Sequence, residues 1–313
     1  MEDKFLRLKR ISETLLFEES LGNLNLVAIE FYDLLCEIVG KIGKDETILP
    51  TGKAISAEFA ARCVLDFLRT SKFLRGLRLA IIEAKQRFPD EKITILYAGC
   101  GPFATLAIPL CTQFRADEIS FTLIDIHQTS LDSAKRVFQH FGLENHAAEF
   151  IRTDAATFQT AQKFHVAVTE TMQKALEKEP QVAITLNLAK QLKDNGVFVP
   201  EKISIDVCLI DLAKEFEPNV ERERIYLGSI MELTKETTEC LTTKIKIPHE
   251  NSEKFAVALL TKIYTFDSIM LDDYDSGLTY PTILHDSGKS FFGKELTFEY
   301  LFGKNPKFNY YQS

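Results

Sequence analysis

The chain has 313 residues, 45% hydrophobic and 26% charged, the proportions of a globular protein with room for one large core or two modest ones. Its net charge of −8 repels phosphate backbones and argues against a general nucleic-acid binder. The six cysteines (36, 63, 100, 111, 208 and 240) make no C-x-x-C pair and no regular spacing with histidine, which argues against a metal site and a disulfide framework.

The N-terminal MEDKFLRLKRISETLLFEES mixes acidic residues with apolar ones and holds no long apolar run. Neither a signal peptide nor a membrane anchor is expected, so a cytoplasmic protein is. Up to about residue 48, apolar side chains recur at helical spacing, among them Leu15, Leu16, Leu26, Phe31, Leu35 and Val39. They predict two helices broken near Gly22 and Asn23. Pro50, Thr51 and Gly52 mark a turn. The helical pattern resumes over 56–87, with Ser56 as N-cap, and Phe88, Pro89 and Asp90 end it.

From Lys92 the texture changes. KITILYAGC, FTLIDI (121–126), AEFIRTD (148–154) and FHVAVTE (164–170) are short apolar, β-rich runs. Helical patterns at 129–141 and 180–193 separate or follow them, and GVFVPEKISIDVCLI (196–210) is again strand-like. Such alternation predicts an α/β fold with a doubly wound, mostly parallel sheet. After Ile210 it stops. TTKIKI (242–247), FAVALLTKIYTF (255–266) and LTFEYLF (296–302) predict an antiparallel β-barrel or sandwich, with the boundary near Pro200.

The segment 93–110 carries the ligand signal. A buried strand runs into Gly99-Cys100-Gly101 and then a helix predicted over 104–111. Glycine lets the backbone turn tightly and approach a ligand with no Cβ in the way. A helix N-terminus adds free N–H groups and a positive dipole end. Asp125 ends the second strand, where a carboxylate can accept from ribose hydroxyls. Asp154 follows the third, where one can accept from an adenine amino group. In open α/β sheets ligands bind at those carboxyl ends. A long helical region before the first strand speaks against a nicotinamide oxidoreductase.

Three further pieces resemble the protein arginine methyltransferases, class I S-adenosyl-L-methionine-dependent enzymes. VLDFLRTSKFLRGLRLAI (64–81) is similar to the family helix whose arginine meets the cofactor carboxylate, here Arg69. TETMQKALEKE (169–179) resembles the double-glutamate loop, with Glu170 and Glu179 as catalytic, acceptor-binding residues and Met172 in its usual place. GVFVPEKISI (196–205) resembles the strand leading into the β-barrel. The resemblance implies an N-terminal helical region over 1–55, a Rossmann-like cofactor-binding domain over 56–200 and a β-rich substrate and dimerisation domain over 201–313. It also implies methyl transfer to a small-molecule or peptide guanidine or amine, and a homodimer through an arm at 211–225.

Departures from the family pattern are equally specific. Tyr97 stands where the motif carries an acid and Phe103 where it carries its third glycine. Thr171 and Gln173 replace residues of the glutamate loop, and the chain has no tryptophan for the family's Thr-His-Trp loop, leaving His285 as its candidate histidine. A small-molecule O- or C-methyltransferase and a non-catalytic partner with a cofactor fold stay open.

Overall fold

The computed structural model describes residues 4–217, 220–239, 242–249, 254–285 and 290–312. Helices α1 (Lys4–Phe17) and α2 (Leu21–Val39) open the chain. They part at residues 18–20, upstream of the expected break, because Ser20 caps α2 and accepts from the Asn23 N–H. Gly22 and Asn23 therefore sit in the first turn of the helix, where Ser at the N-cap satisfies an orphan donor. A small hairpin follows, β1 (Thr47–Leu49) and β2 (Gly52–Ala54). Ser56 then caps α3 (Ala57–Arg62), and α4 (Phe67–Arg87) starts only after a 3-10 turn at Cys63–Leu65. The single helix expected over 56–87 is thus two. The break falls at Asp66, which has non-helical dihedrals and whose carboxylate accepts from the distant Ser276 hydroxyl.

Strands β3 (Ile93–Ala98), β4 (Ile119–Asp125), β5 (Ala147–Arg152), β6 (Phe164–Thr169) and β7 (Leu192–Val199) form one sheet in the order β5-β4-β3-β6-β7. All four pairings are parallel. Every residue of β4 and β6 is buried, as in a sheet covered on both faces. Helix α5 (Gln128–Phe141) connects β4 to β5, and α6 (Gln181–Leu188) precedes β7. Ile95, Tyr97 and Phe121 join a core shared with α1, α2, α4 and α5, while Leu96, Ala98, Phe164 and Phe198 pack with Ile184 and Leu188 of α6. The chain builds outward from β3 through β4 to β5, then returns to β6 on the other side. The switch point therefore lies at the carboxyl ends of β3 and β6.

No continuous helix forms over 104–111. Ala104 takes a left-handed φ of 46°, and turns lead to a 3-10 segment at Leu110–Thr112. Pro109 has no N–H to give to such a helix.

At Pro200 the chain passes from the parallel sheet to an antiparallel region. It comprises β8 (Lys202–Asp211), a short α7 (Leu212–Glu215), β9 (Arg224–Leu233), β10 (Thr243–Lys246), β11 (Phe255–Phe266), β12 (Ile269–Leu271), β13 (Thr282–Ile283), β14 (Glu295–Leu301) and β15 (Lys307–Gln312). One sheet runs β12-β11-β8-β9 with β13 beside β11, and the other β10-β14-β15. Val207, Leu259 and Phe298 of these sheets belong to the same core as Phe31 and Phe73 of the helices. Helix α4 lies close on this region: a Cβ on Gly76 would stand 2.4 Å from Thr265 Oγ1. Among the described residues Cys36, Cys63, Cys100, Cys111 and Cys208 are free thiols, and no His/Cys/Asp/Glu group could hold a metal ion. Cys240 lies outside the described residues. Among the described residues no helix is long and apolar enough to cross a membrane.

Candidate functional site

The glycine turn is tied to the second strand. Gly99 N–H donates to the Ile124 carbonyl at 2.9 Å, and Gly101 N–H to Asp125 Oδ2 at 3.0 Å. Asp125 Oδ1 accepts from His127 N–H at 2.8 Å. Burial raises the Asp125 pKa, against these backbone donors. A carboxylate has about four lone-pair sites, so these donors leave some acceptor capacity for a ligand. Both glycines are left-handed, with φ near +67° and +63°. At Gly99 space matters as well, because a Cβ there would lie 2.4 Å from Thr171 Cγ2.

Arg69, in the first turn of α4, reaches across to Glu170, the residue after β6. Its Nη2 donates to Glu170 Oε2, with the two side chains 14% and 13% exposed. Glu170 Oε1 is buried and has no hydrogen-bond partner. Burial pushes the Glu170 carboxyl up to about 7, although Arg69 pulls the other way; Glu179 and Asp66 add to the rise. Burial also raises Glu179, whose carboxylate takes a hydrogen bond from the Gln173 side chain. Two buried acids thus share one small volume with one guanidinium.

A network that the sequence did not announce holds the loop between these acids. Gln181 Oε1 accepts from Thr171 N–H and Oγ1 at 3.0 and 3.1 Å, and Gln181 Nε2 donates to Thr185 at 3.2 Å. Further along, Ala175, Leu176 and Lys178 all have positive φ. The hairpin crosses the loop's far end, where Lys53 N–H donates to the Lys178 carbonyl at 2.7 Å and Gly52 abuts Pro180. A helical spacing or a β alternation signals none of these contacts. The only local sign is Gln181 and Thr185, four residues apart on one helix face.

One cavity of about 1070 Å³, its open mouth included, is lined by Arg69, Gly99, Gly101, Asp125, Asp154, Glu170 and Glu179. It lies at the carboxyl ends of β3, β4 and β6. Asp154 Oδ1 accepts from Ala156 N–H at 2.9 Å, which fixes the side chain on the wall. Two expected site residues are not brought there. Met172 is 2% exposed and packs in the main core. His285 is exposed on a separate groove beside Lys174, Glu177 and Tyr280. It follows β13, whose pairing with Ala258 and Leu259 of β11 carries it away from the cavity. Leu49, Lys53 and Ile55 of the hairpin region, together with Cys63 and Tyr97, complete walls that the motifs did not predict.

No family model and no curated protein matches this chain. Solved structures do. The Trypanosoma brucei PRMT1 enzyme–prozyme heterotetrameric complex with AdoHcy aligns at 13% identity over 77% of this chain and 90% of that one, with a TM-score of 0.50. Arabidopsis thaliana protein arginine methyltransferase 10, in a uniquely open conformation, aligns at 12% identity over 73% and 84%, with a TM-score of 0.49. At such identities the likeness is one of fold. The chain has the Rossmann-like sheet, helical N-terminal region and C-terminal antiparallel region of the arginine methyltransferase fold.

Proposed function

We propose that this chain is an S-adenosylmethionine-dependent methyltransferase that N-methylates a guanidine or amine held by Glu170 and Glu179. One observation carries the reading: two buried carboxylates, one with an oxygen lacking any partner, share a cavity with a glycine turn and a buried arginine. The first structural neighbour was solved with AdoHcy, the demethylated form of that cofactor, which supports the choice.

The residues suit the ligand. Gly99 and Gly101 leave their turn without Cβ atoms. Arg69 has five N–H donors and spends one on Glu170, so it can also take the cofactor carboxylate. Asp125 has acceptor capacity for ribose hydroxyls, and Asp154, on the cavity wall, has it for the adenine amino group. When bound, the cofactor supplies an electrophilic sulfonium methyl. Transfer of that methyl to the acceptor nitrogen would require the nitrogen to give up a proton to a protein group.

Glu170 meets both remaining needs. As a carboxylate it orients a cationic acceptor by charge-assisted hydrogen bonds. Titrating near neutral pH, it can also take the released proton. Glu179 offers the second carboxylate of a two-sided clamp, and such placement supplies much of the rate in a displacement. A homodimer belongs to the same reading. The stretch 211–225 exposes Leu212 and Phe216, though residues 218 and 219 lie outside the described residues.

Calorimetry with S-adenosylmethionine, AdoHcy and NAD tests the cofactor; absence of binding by the first two overturns the reading. A labelled-methyl assay against arginine, simple amines, phenols and arginine peptides then tests the acceptor. Transfer to phenols alone would make it an O-methyltransferase, and cofactor binding without transfer a non-catalytic partner. Glu170→Gln should abolish transfer and spare cofactor affinity.

A further inference from the structure

The loop that joins Glu170 to Glu179 follows an expensive path. Ala175, Leu176 and Lys178 have φ of 54°, 55° and 65° within four residues. None is glycine, and such residues persist only where their surroundings over-determine them. Here they do, chiefly from the C-terminal antiparallel region. Ala175 N–H donates to Thr261 Oγ1 of β11 at 2.9 Å. The Tyr300 hydroxyl of β14 donates to the Leu176 carbonyl at 2.8 Å, buried. Lys178 N–H donates to the Pro306 carbonyl at 2.7 Å. The three left-handed residues, with only the extended Glu177 among them, are therefore each tied to a different point of the β region, and Glu179 is the next residue after the last tie.

We propose that Thr261 and Tyr300 are positioning residues for methyl transfer, which hold Glu179 in the cavity opposite Glu170 by pinning the strained loop between them. This rests on the reading of Glu170 and Glu179 as the acceptor clamp. Neither residue lines the cavity, so neither touches substrate. Their effect runs through the backbone: without the ties, the loop relaxes toward ordinary dihedrals and Glu179 swings off its mark. Local contact alone would not demand such placement. A surface turn with free choice of residues would put glycine at these positions, as left-handed φ favours.

The test compares Tyr300→Phe, Thr261→Val, Thr261→Ser and Glu179→Gln with the native protein. Each is assayed for labelled-methyl transfer to arginine, simple amines and an arginine peptide, for AdoHcy affinity and for thermal midpoint. Expected are a fall in kcat of at least about tenfold for Tyr300→Phe and Thr261→Val, AdoHcy affinity within about twofold of native, and rescue by Thr261→Ser, which keeps the acceptor oxygen; an ångström of misplacement can cost about 100-fold. Hydrogen exchange adds a readout independent of turnover. The Ala175 and Lys178 amides should exchange faster in Tyr300→Phe and Thr261→Val while amides of β3 and β6 do not. Native kcat and native exchange in both variants overturn the proposal. If Glu179→Gln transfers methyl groups as well as the native chain, the clamp itself is overturned, and this proposal with it, whatever Tyr300 does.

Discussion

Arg69 and Glu170 form an ion pair inside the cavity, and the pair is lopsided: Arg69 engages Glu170 Oε2 while Glu170 Oε1 has no partner. Desolvating two charges is costly, and removing one partner leaves the other uncompensated, at about 3–5 kcal/mol. Arg69→Ala should therefore destabilise the fold at pH 8, where Glu170 is ionised. At pH 5 the carboxyl is protonated and the loss should shrink to what packing alone explains. Urea denaturation at the two pH values measures this, and an equal loss at both would show that the pair is not what Arg69 contributes. The same variant should weaken S-adenosylmethionine binding.

Glu170 also sets a pH dependence of defined sign. Its folded pKa, near 7, lies above the usual value of about 4.3 for a free glutamate. The stability it contributes is fully present below about 4.3 and is lost as pH rises through 7. Native protein should thus lose thermal stability relative to Glu170→Gln between pH 5 and 8. Affinity for a cationic acceptor runs the opposite way, since only the carboxylate attracts it. A guanidine probe should bind roughly tenfold more tightly at pH 8 than at pH 6, because the ionised fraction changes by about that factor. Calorimetry with native protein and Glu170→Gln would find the slope in the first and none in the second.

Much of this site lies close to the surface of the sequence. Strand β11 spans the same residues, 255–266, that β-rich composition marks, and β3, β4 and β6 are apolar runs ended by the residues that line the cavity. What composition cannot carry is long-range or conformational. Strand β9 is interrupted by register shifts opposite Ile205 and Val207, and its burial does not alternate cleanly, so period two is lost. The break in the helix at Asp66 depends on Ser276, far away in the chain. Ala104 and the three residues of the glutamate loop take left-handed dihedrals without the glycines that would announce them. His285 lies near the right place in sequence, but the strand before it determines where it goes.

Gly99 is required by its neighbour as much as by its own dihedral. An alanine there would drive its Cβ to 2.4 Å from Thr171 Cγ2, and Thr171 is fixed by Gln181. Gly99→Ala should lower stability by about 1–3 kcal/mol. It should also weaken S-adenosylmethionine binding, since the turn and the start of the glutamate loop move together. Adding Thr171→Ser removes Cγ2, keeps the hydroxyl bonded to Gln181, and should recover part of the loss. Gly101→Ala meets only Ala60 at 3.5 Å and carries the dihedral penalty alone. Thermal midpoints and cofactor titrations of the four proteins separate the two effects; no recovery in the double variant would point to the dihedral as the whole cause at Gly99.

Gly76 presents a contest between helix propensity and packing. It sits inside α4, where alanine is favoured over glycine by about 1 kcal/mol. A Cβ there, however, would stand 2.4 Å from Thr265 Oγ1 and 2.7 Å from its Cβ, with the Phe266 amide nitrogen at 3.1 Å. Thr265 cannot easily turn aside, because its hydroxyl is fixed on the Lys72 and Ile269 carbonyls at 3.1 and 2.9 Å. Overpacking of this kind costs about 1–3 kcal/mol, and backbone on one side raises it toward the upper end. Packing should win, so Gly76→Ala should lower the thermal midpoint despite its better helix residue. Because α4 also carries Arg69, the displaced helix should weaken cofactor binding as well. An unchanged or raised midpoint would mean that α4 and β11 are free to separate, and that Arg69 is held by its own turn rather than by this contact.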